Sequence, residues 1–175
     1  MEGTLTEVAP NVNSNWETVS LVGRILNWTV TVRDRFANAL GLEGQTVRDD
    51  IVITVTDDAG PFRISSQTTT GTTWRSGARE SITWEVANTD QSPINTSTIS
   101  IYLSIDGGAN FDVVLAENIP NTGQAFVTVP KDADTTNARI KIVPTNSIYF
   151  AVNAAAFTIV TRPYQMEFEE YNKDL

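Results

Sequence analysis

Cysteine and histidine are both missing from this chain of 175 residues. Their absence excludes disulfides, thiol nucleophiles, imidazole general bases and zinc sites built from Cys and His. It leaves the compartment open, because an oxidising environment permits disulfides without requiring them. Lysine is scarce as well: Lys131, Lys141 and Lys173 are the only three, the nine arginines are scattered, and the formal net charge is −9. Phosphate backbones and anionic lipid surfaces are bound through clustered Lys and Arg, so neither nucleic acid nor a membrane surface fits this composition. No apolar run approaches the roughly 18 residues of a membrane span, and membrane insertion is not expected. The first residues, Met1 to Thr6, lack the basic and apolar regions of a signal peptide.

What the chain does have is threonine, 24 residues of it, beside 41% hydrophobic and only 19% charged residues. Abundant Thr, Val and Ile with little charge favours strands over helices. The length allows one or two domains with a sizeable core.

Residues 1–18 are polar, with no convincing period. A β-like pattern then begins with Val19 and Leu21 and, after a turn at Gly23, runs from Ile25 to Val32. There Leu26, Trp28, Val30 and Val32 alternate with Asn27, Thr29 and Thr31. Arg35 to Arg48 reads as a loop, and Asp50 to Thr56 as a strand with Ile51, Ile53 and Val55 on one face. The turn chemistry of Asp57-Asp58-Ala59-Gly60-Pro61 marks a domain boundary.

Seven short strands follow: 62–65, 80–86, 97–104, 111–117, 125–129, 138–143 and 156–160. That number and spacing read as an immunoglobulin-like sandwich. Trp84, Phe126, Ile140 and Phe157 are its expected core. Residues 1–58 offer only three or four strands, too few to close a sandwich of about seven. The expectation is therefore an all-β chain of tandem immunoglobulin-like β-sandwich modules, the first (1–58) incomplete and the second spanning 59–161. Residues 162–175 carry Tyr164, Met166 and Phe168 in alternation with polar residues and read as a linker or a donated strand.

Ser104-Ile105-Asp106-Gly107-Gly108-Ala109-Asn110-Phe111 has the S-x-D-x-G-x-x-F pattern of an Asp-box. The motif residues are Ser104, Asp106, Gly108 and Phe111. The aspartate accepts hydrogen bonds from turn N–H groups, and the glycines take positive φ at no steric cost. Phe111 is then expected to fold back over the hairpin. A single copy in a chain of this length does not make a propeller, so the association with sialidases fails.

Further segments accompany this turn in a fixed order. They include Leu26 to Asp34, Ala59-Gly60-Pro61-Phe62, Trp74-Arg75-Ser76-Gly77, Ile82-Thr83-Trp84 and Pro93-Ile94-Asn95. Later come Val127-Thr128-Val129-Pro130, Ala138 to Ile142, Asn146 to Phe150 and Phe157-Thr158-Ile159. Over about residues 19–160 the chain resembles the immunoglobulin-like accessory modules that follow reprolysin-type zinc metallopeptidase domains in secreted bacterial proteins. The resemblance implies an extracellular or cell-surface location and a piece of a larger accessory region, and it carries no catalytic residue over. A zinc peptidase domain has no ligands here.

Candidate chemistry is sparse. The adjacent acid pairs Asp49-Asp50, Asp57-Asp58 and Glu169-Glu170 point to opposite faces wherever they lie on strands, which does not suit a facing glycosidase pair. Asp34, Asp49, Asp50, Asp57 and Asp58 cluster at strand ends of the first module and are the candidate calcium ligands, calcium needing six to eight oxygens. Asp is also simply common in turns, and no other cofactor is expected. Trp16, Trp74, Tyr102 and Tyr149 are the aromatics whose facing the sequence leaves open, hence candidate ligand contacts. The expected role is non-enzymatic: an accessory or adhesion module serving protein or surface binding and spacing, with a protein partner or neighbouring domains. The alternatives are a structural subunit that self-assembles by strand exchange, and a carbohydrate-binding module.

Overall fold

Strand follows strand in the computed structural model, which describes residues 22–34 and 45–161. Among these residues there is no helix, and the protein is an all-β sandwich. The chain divides into two compact units, Met1–Asp58 and Ala59–Leu175. The expected strand residues Val19 and Leu21, Trp16 and the alternating segment 164–168 lie outside the described residues.

In the first unit, β1 (Arg24–Arg33) pairs antiparallel with β2 (Thr46–Val55) over ten residues each. The strand begins at Thr46, inside the stretch read as loop, because Val47 continues the alternation of Asp49, Ile51 and Ile53. Since cross-strand partners share a face, the register separates the hairpin into two sides. Leu26–Ile53, Trp28–Ile51, Val30–Asp49 and Val32–Val47 form an apolar side that ends at Arg24–Val55. The other side is more polar, though Ile25 and Val52 are exposed on it, and there Asp50 accepts hydrogen bonds from Thr29 Oγ1 at 2.7 Å and Arg48 Nε at 2.9 Å.

The second unit is a two-layer sandwich. One layer holds β3 (Arg63–Ile64), β5 (Arg79–Glu85) and β8 (Gln124–Thr128) in that order. The other runs β4 (Thr73–Arg75), β11 (Phe157–Val160), β9 (Thr135–Pro144), β6 (Thr98–Ser104) and β7 (Val113–Pro120), with β10 (Ala151–Val152) added on β9. All pairs are antiparallel except β4 with β11, which is parallel. A three-stranded sheet packed on a longer one makes the β-sandwich.

Alternation explains the core. Ile99, Ile101 and Leu103 of β6 and Ile140 and Ile142 of β9 are fully buried. They pack with Ile82, Trp84, Val127, Phe157 and Ile159 in one cluster. Each such side chain stabilises the fold by about 1.5–3 kcal/mol through its removal from water. Trp84, Ile140 and Phe157 are therefore core residues, but Phe126 is not. Val127 in β8 and Val129 just after it take the inward phase and leave Phe126 57% exposed, its ring under the Arg79 guanidinium at 4.6 Å.

Two asparagines fix the polar interior. Asn121 Oδ1 accepts the Trp84 indole N–H at 2.8 Å, and its Nδ2 donates to Thr89 Oγ1 and to the Thr96 carbonyl. Asn153 sits between β10 and β11. Its Oδ1 accepts the Ile140 N–H at 2.7 Å, and its Nδ2 donates to the carbonyls of Gln67 and Ala155. A buried side chain thus replaces ladder bonds where the last strand breaks in two, as burial of polar groups requires.

Candidate binding face

The turn between β6 and β7 is built around one carboxylate. Ser104 Oγ donates to Asp106 Oδ1 at 2.6 Å and accepts from the Gly108 N–H at 2.8 Å. The Asn110 N–H and Nδ2 donate to the two Asp106 oxygens at 3.0 and 2.8 Å. Gly107 and Gly108 both have positive φ, 84° and 98°. The Gly107 N–H donates to the Asn137 carbonyl at 2.9 Å, which ties the turn to the first residues of β9. The hydrogen bond from Ser104 and those from Asn110 hold the Asp106 carboxyl well below the ordinary carboxylate range. Asp106 is therefore an anion fully occupied by its own turn, which suits it to structure and not to proton transfer.

The turn also aims Phe111. Its ring passes Gly108, 3.7 Å from where a β-carbon would stand, and reaches to 5.4 Å from Lys141 Nζ. The Phe150 ring approaches the same ammonium to 4.8 Å. Lys141 lies in a cross-strand row with Tyr102 and Val152 as its partners, and Val114 is opposite Tyr102. Phe111 and Phe150 therefore flank a row of Val114, Tyr102, Lys141 and Val152 on the outer side of the longer sheet. Phe150 is 52% exposed and Val114 49%. One cation held between two rings, with aliphatic ends, makes an amphipathic strip across four strands.

The other sequence-derived candidates fall elsewhere. Trp74 is a correction: it is only 2% exposed, because parallel pairing with Ile159 turns it inward against the Phe157 ring at 4.6 Å. It cannot touch a ligand. Tyr149 meets Phe62 edge-on at 5.2 Å, and its hydroxyl is buried without a hydrogen-bond partner, so it presents no polar tip outside. Tyr102 points away from Ile101 and Leu103 and joins the strip. Trp16 lies outside the described residues.

The first-module carboxylates do not converge. Asp49 and Asp50 lie on opposite sides of the hairpin. Asp50 is engaged by Thr29 and Arg48, which lower its pKa in that order. An Asp57 oxygen lies 3.0 Å from the position of a Gly23 β-carbon, and Asp58 is tied to Thr56. Asp34 ends the hairpin, its backbone N–H bonded to the Gln45 carbonyl. Among the described residues no group of three or more acidic side chains is placed to hold a metal ion.

An open cleft of roughly 420 Å3 lies at the β3 edge, lined by Arg63, Ile64, Ser65, Glu85 and Val152 among others. Its one carboxylate, Glu85, is paired to Arg63 at 2.8 Å. Sequence reasoning missed Phe150 and Lys141 as surface-forming residues. The available signal was the β9 alternation, which places Lys141 outward between the buried Ile140 and Ile142. No protein-family model matches the chain, and no curated protein matches its sequence.

Proposed function

We infer that this chain is a non-catalytic β-sandwich module of a secreted or surface bacterial protein, which binds a protein or surface partner and spaces neighbouring domains. The observation that carries this reading is the strip of Tyr102, Phe111, Lys141 and Phe150, where an exposed ring and two half-buried ones surround a lysine on the outer face of the sheet. Tyr102 and Lys141, on strands, are held in fixed geometry, and Tyr is among the residue types enriched where interface energy concentrates. The non-catalytic part rests on the missing His and Cys. It rests also on the engagement of Asp106, Asp50 and Glu85 in local hydrogen bonds.

The test is binding of the fluorescently labelled chain to intact bacterial cells, before and after protease or periodate treatment. Saturable binding that protease abolishes, and that Phe150→Ala with Tyr102→Ala weakens at least tenfold, is the expected result. Loss on periodate instead would transfer the strip to the carbohydrate reading, for which the ring of Tyr102 is the favourable observation. Binding indifferent to both substitutions would remove the strip from the argument altogether.

A further inference from the structure

The hairpin of the first unit exposes an apolar side that the sandwich strip does not explain. Trp28 is 58% exposed, Val30 54%, Val32 66% and Val47 67%. Two charges interrupt that side, Arg24 at one end and Asp49 opposite Val30. Neither has a salt-bridge partner among the described residues. We propose that this side is a self-complementary docking surface for a second copy of this chain, packed face to face so that Arg24 of each copy meets Asp49 of the other.

The placement of the two charges carries the proposal. Arg24 and the row of Asp49 are six residues apart along β1, about 20 Å at strand rise. Their midpoint falls between the Leu26–Ile53 and Trp28–Ile51 rows. A two-fold axis running across the strands through that midpoint lays each Leu26–Ile53 row on the partner copy's Trp28–Ile51 row. The same axis brings each Arg24 over the row that holds Asp49 in the other copy.

Stacked sheets lie about 10 Å apart and neighbouring strands about 4.8 Å, so the two α-carbons stand about 11 Å from each other. An arginine and an aspartate reach across that gap. Rotation about an axis along the strands leaves both charges against valine, and a register shifted by one row separates them from each other. Two ion pairs of opposite sense, one at each end of an apolar centre, select one arrangement. The overlap covers the four rows from Arg24–Val55 to Val30–Asp49 and leaves the Val32–Val47 row outside it, so the contact is small and association is weak and concentration-dependent.

Sedimentation equilibrium of the full chain from low micromolar to millimolar concentration tests this. The expected mass rises from 19.2 kDa toward twice that value. Arg24→Glu and Asp49→Arg singly each move the association midpoint about tenfold higher, since both symmetry-related pairs become like-charged. The double variant Arg24→Glu/Asp49→Arg returns to within a few-fold of the parent. Thr31→Glu, on the polar side, leaves the midpoint within about twofold. These substitutions are on the surface of a two-stranded element, so circular dichroism of each variant checks that folding is unchanged. A constant mass over the whole range overturns the proposal. So does association that both single charge reversals leave intact, which would place the contact at strand edges or on the sandwich.

Discussion

The β1–β2 hairpin and the β6 strand of the sandwich carry the same alternation of apolar and polar residues with opposite outcomes. Ile99, Ile101 and Leu103 are fully buried, whereas Trp28, Val30 and Val32 stay more than half exposed. The difference is the second layer. β6 faces β5 and β8 across a packed interior, whereas β1 and β2 form a two-stranded sheet of their own whose apolar side stays exposed. Alternation decides that a segment is a strand and which side will be apolar. Burial is then a property of what lies opposite.

The largest expected break in this contrast comes from the core. Phe157→Ala removes a ring packed against Trp74 and should cost about 3–5 kcal/mol in the urea unfolding of the sandwich. Trp28→Ala, which deletes a larger side chain from the hairpin, should move that same transition by less than about 1 kcal/mol. A comparable loss from both would mean that the hairpin side is covered in solution.

The next effect in size sharpens the comparison from the polar side. Asn121→Ala leaves the buried Trp84 indole N–H without its acceptor and should cost about 2–3 kcal/mol. Thr29→Ala, which breaks a bond to Asp50 on the exposed hairpin, should be close to neutral. Differential scanning calorimetry of the two variants separates them.

The smallest effect is pH-dependent. Asp106 is held below its unfolded value of 3.8 by its turn, so the unfolded chain takes up a proton first on acidification. Its contribution is complete above that value and is lost as pH falls toward the folded one. Urea midpoints measured from about pH 5 to about pH 2 should therefore fall more steeply for the parent than for Asp106→Asn.

Much of this architecture was legible from side-chain period alone. Seven strands of the sandwich and both hairpin strands were located to within a few residues, because each carries at least one buried or aligned apolar pair. β4 and β10 were not, since strands of three and two residues have no period to read. That omission misassigned Trp74: without β4, nothing in the sequence says that Ile159 lies beside it. Phe126 failed for another reason. In the segment Ala125-Phe126-Val127, volume favours the ring as the inward residue, but the phase is set by Val127 and Val129 together. The strip is half visible: Tyr102 and Phe111 stand in readable patterns, while Phe150 belongs to a loop that has no period to read.

The parallel pairing of β4 with β11 has a mechanical consequence. The two strands lie near opposite ends of the sandwich's chain yet run in the same direction, with Thr73, Trp74 and Arg75 abreast of Thr158, Ile159 and Val160. Tension applied along the chain draws them in opposite senses along their length. The hydrogen bonds between them are then loaded together in shear, where an antiparallel hairpin would open one bond at a time. A domain wired this way resists stretching at the point where a tether enters and leaves it.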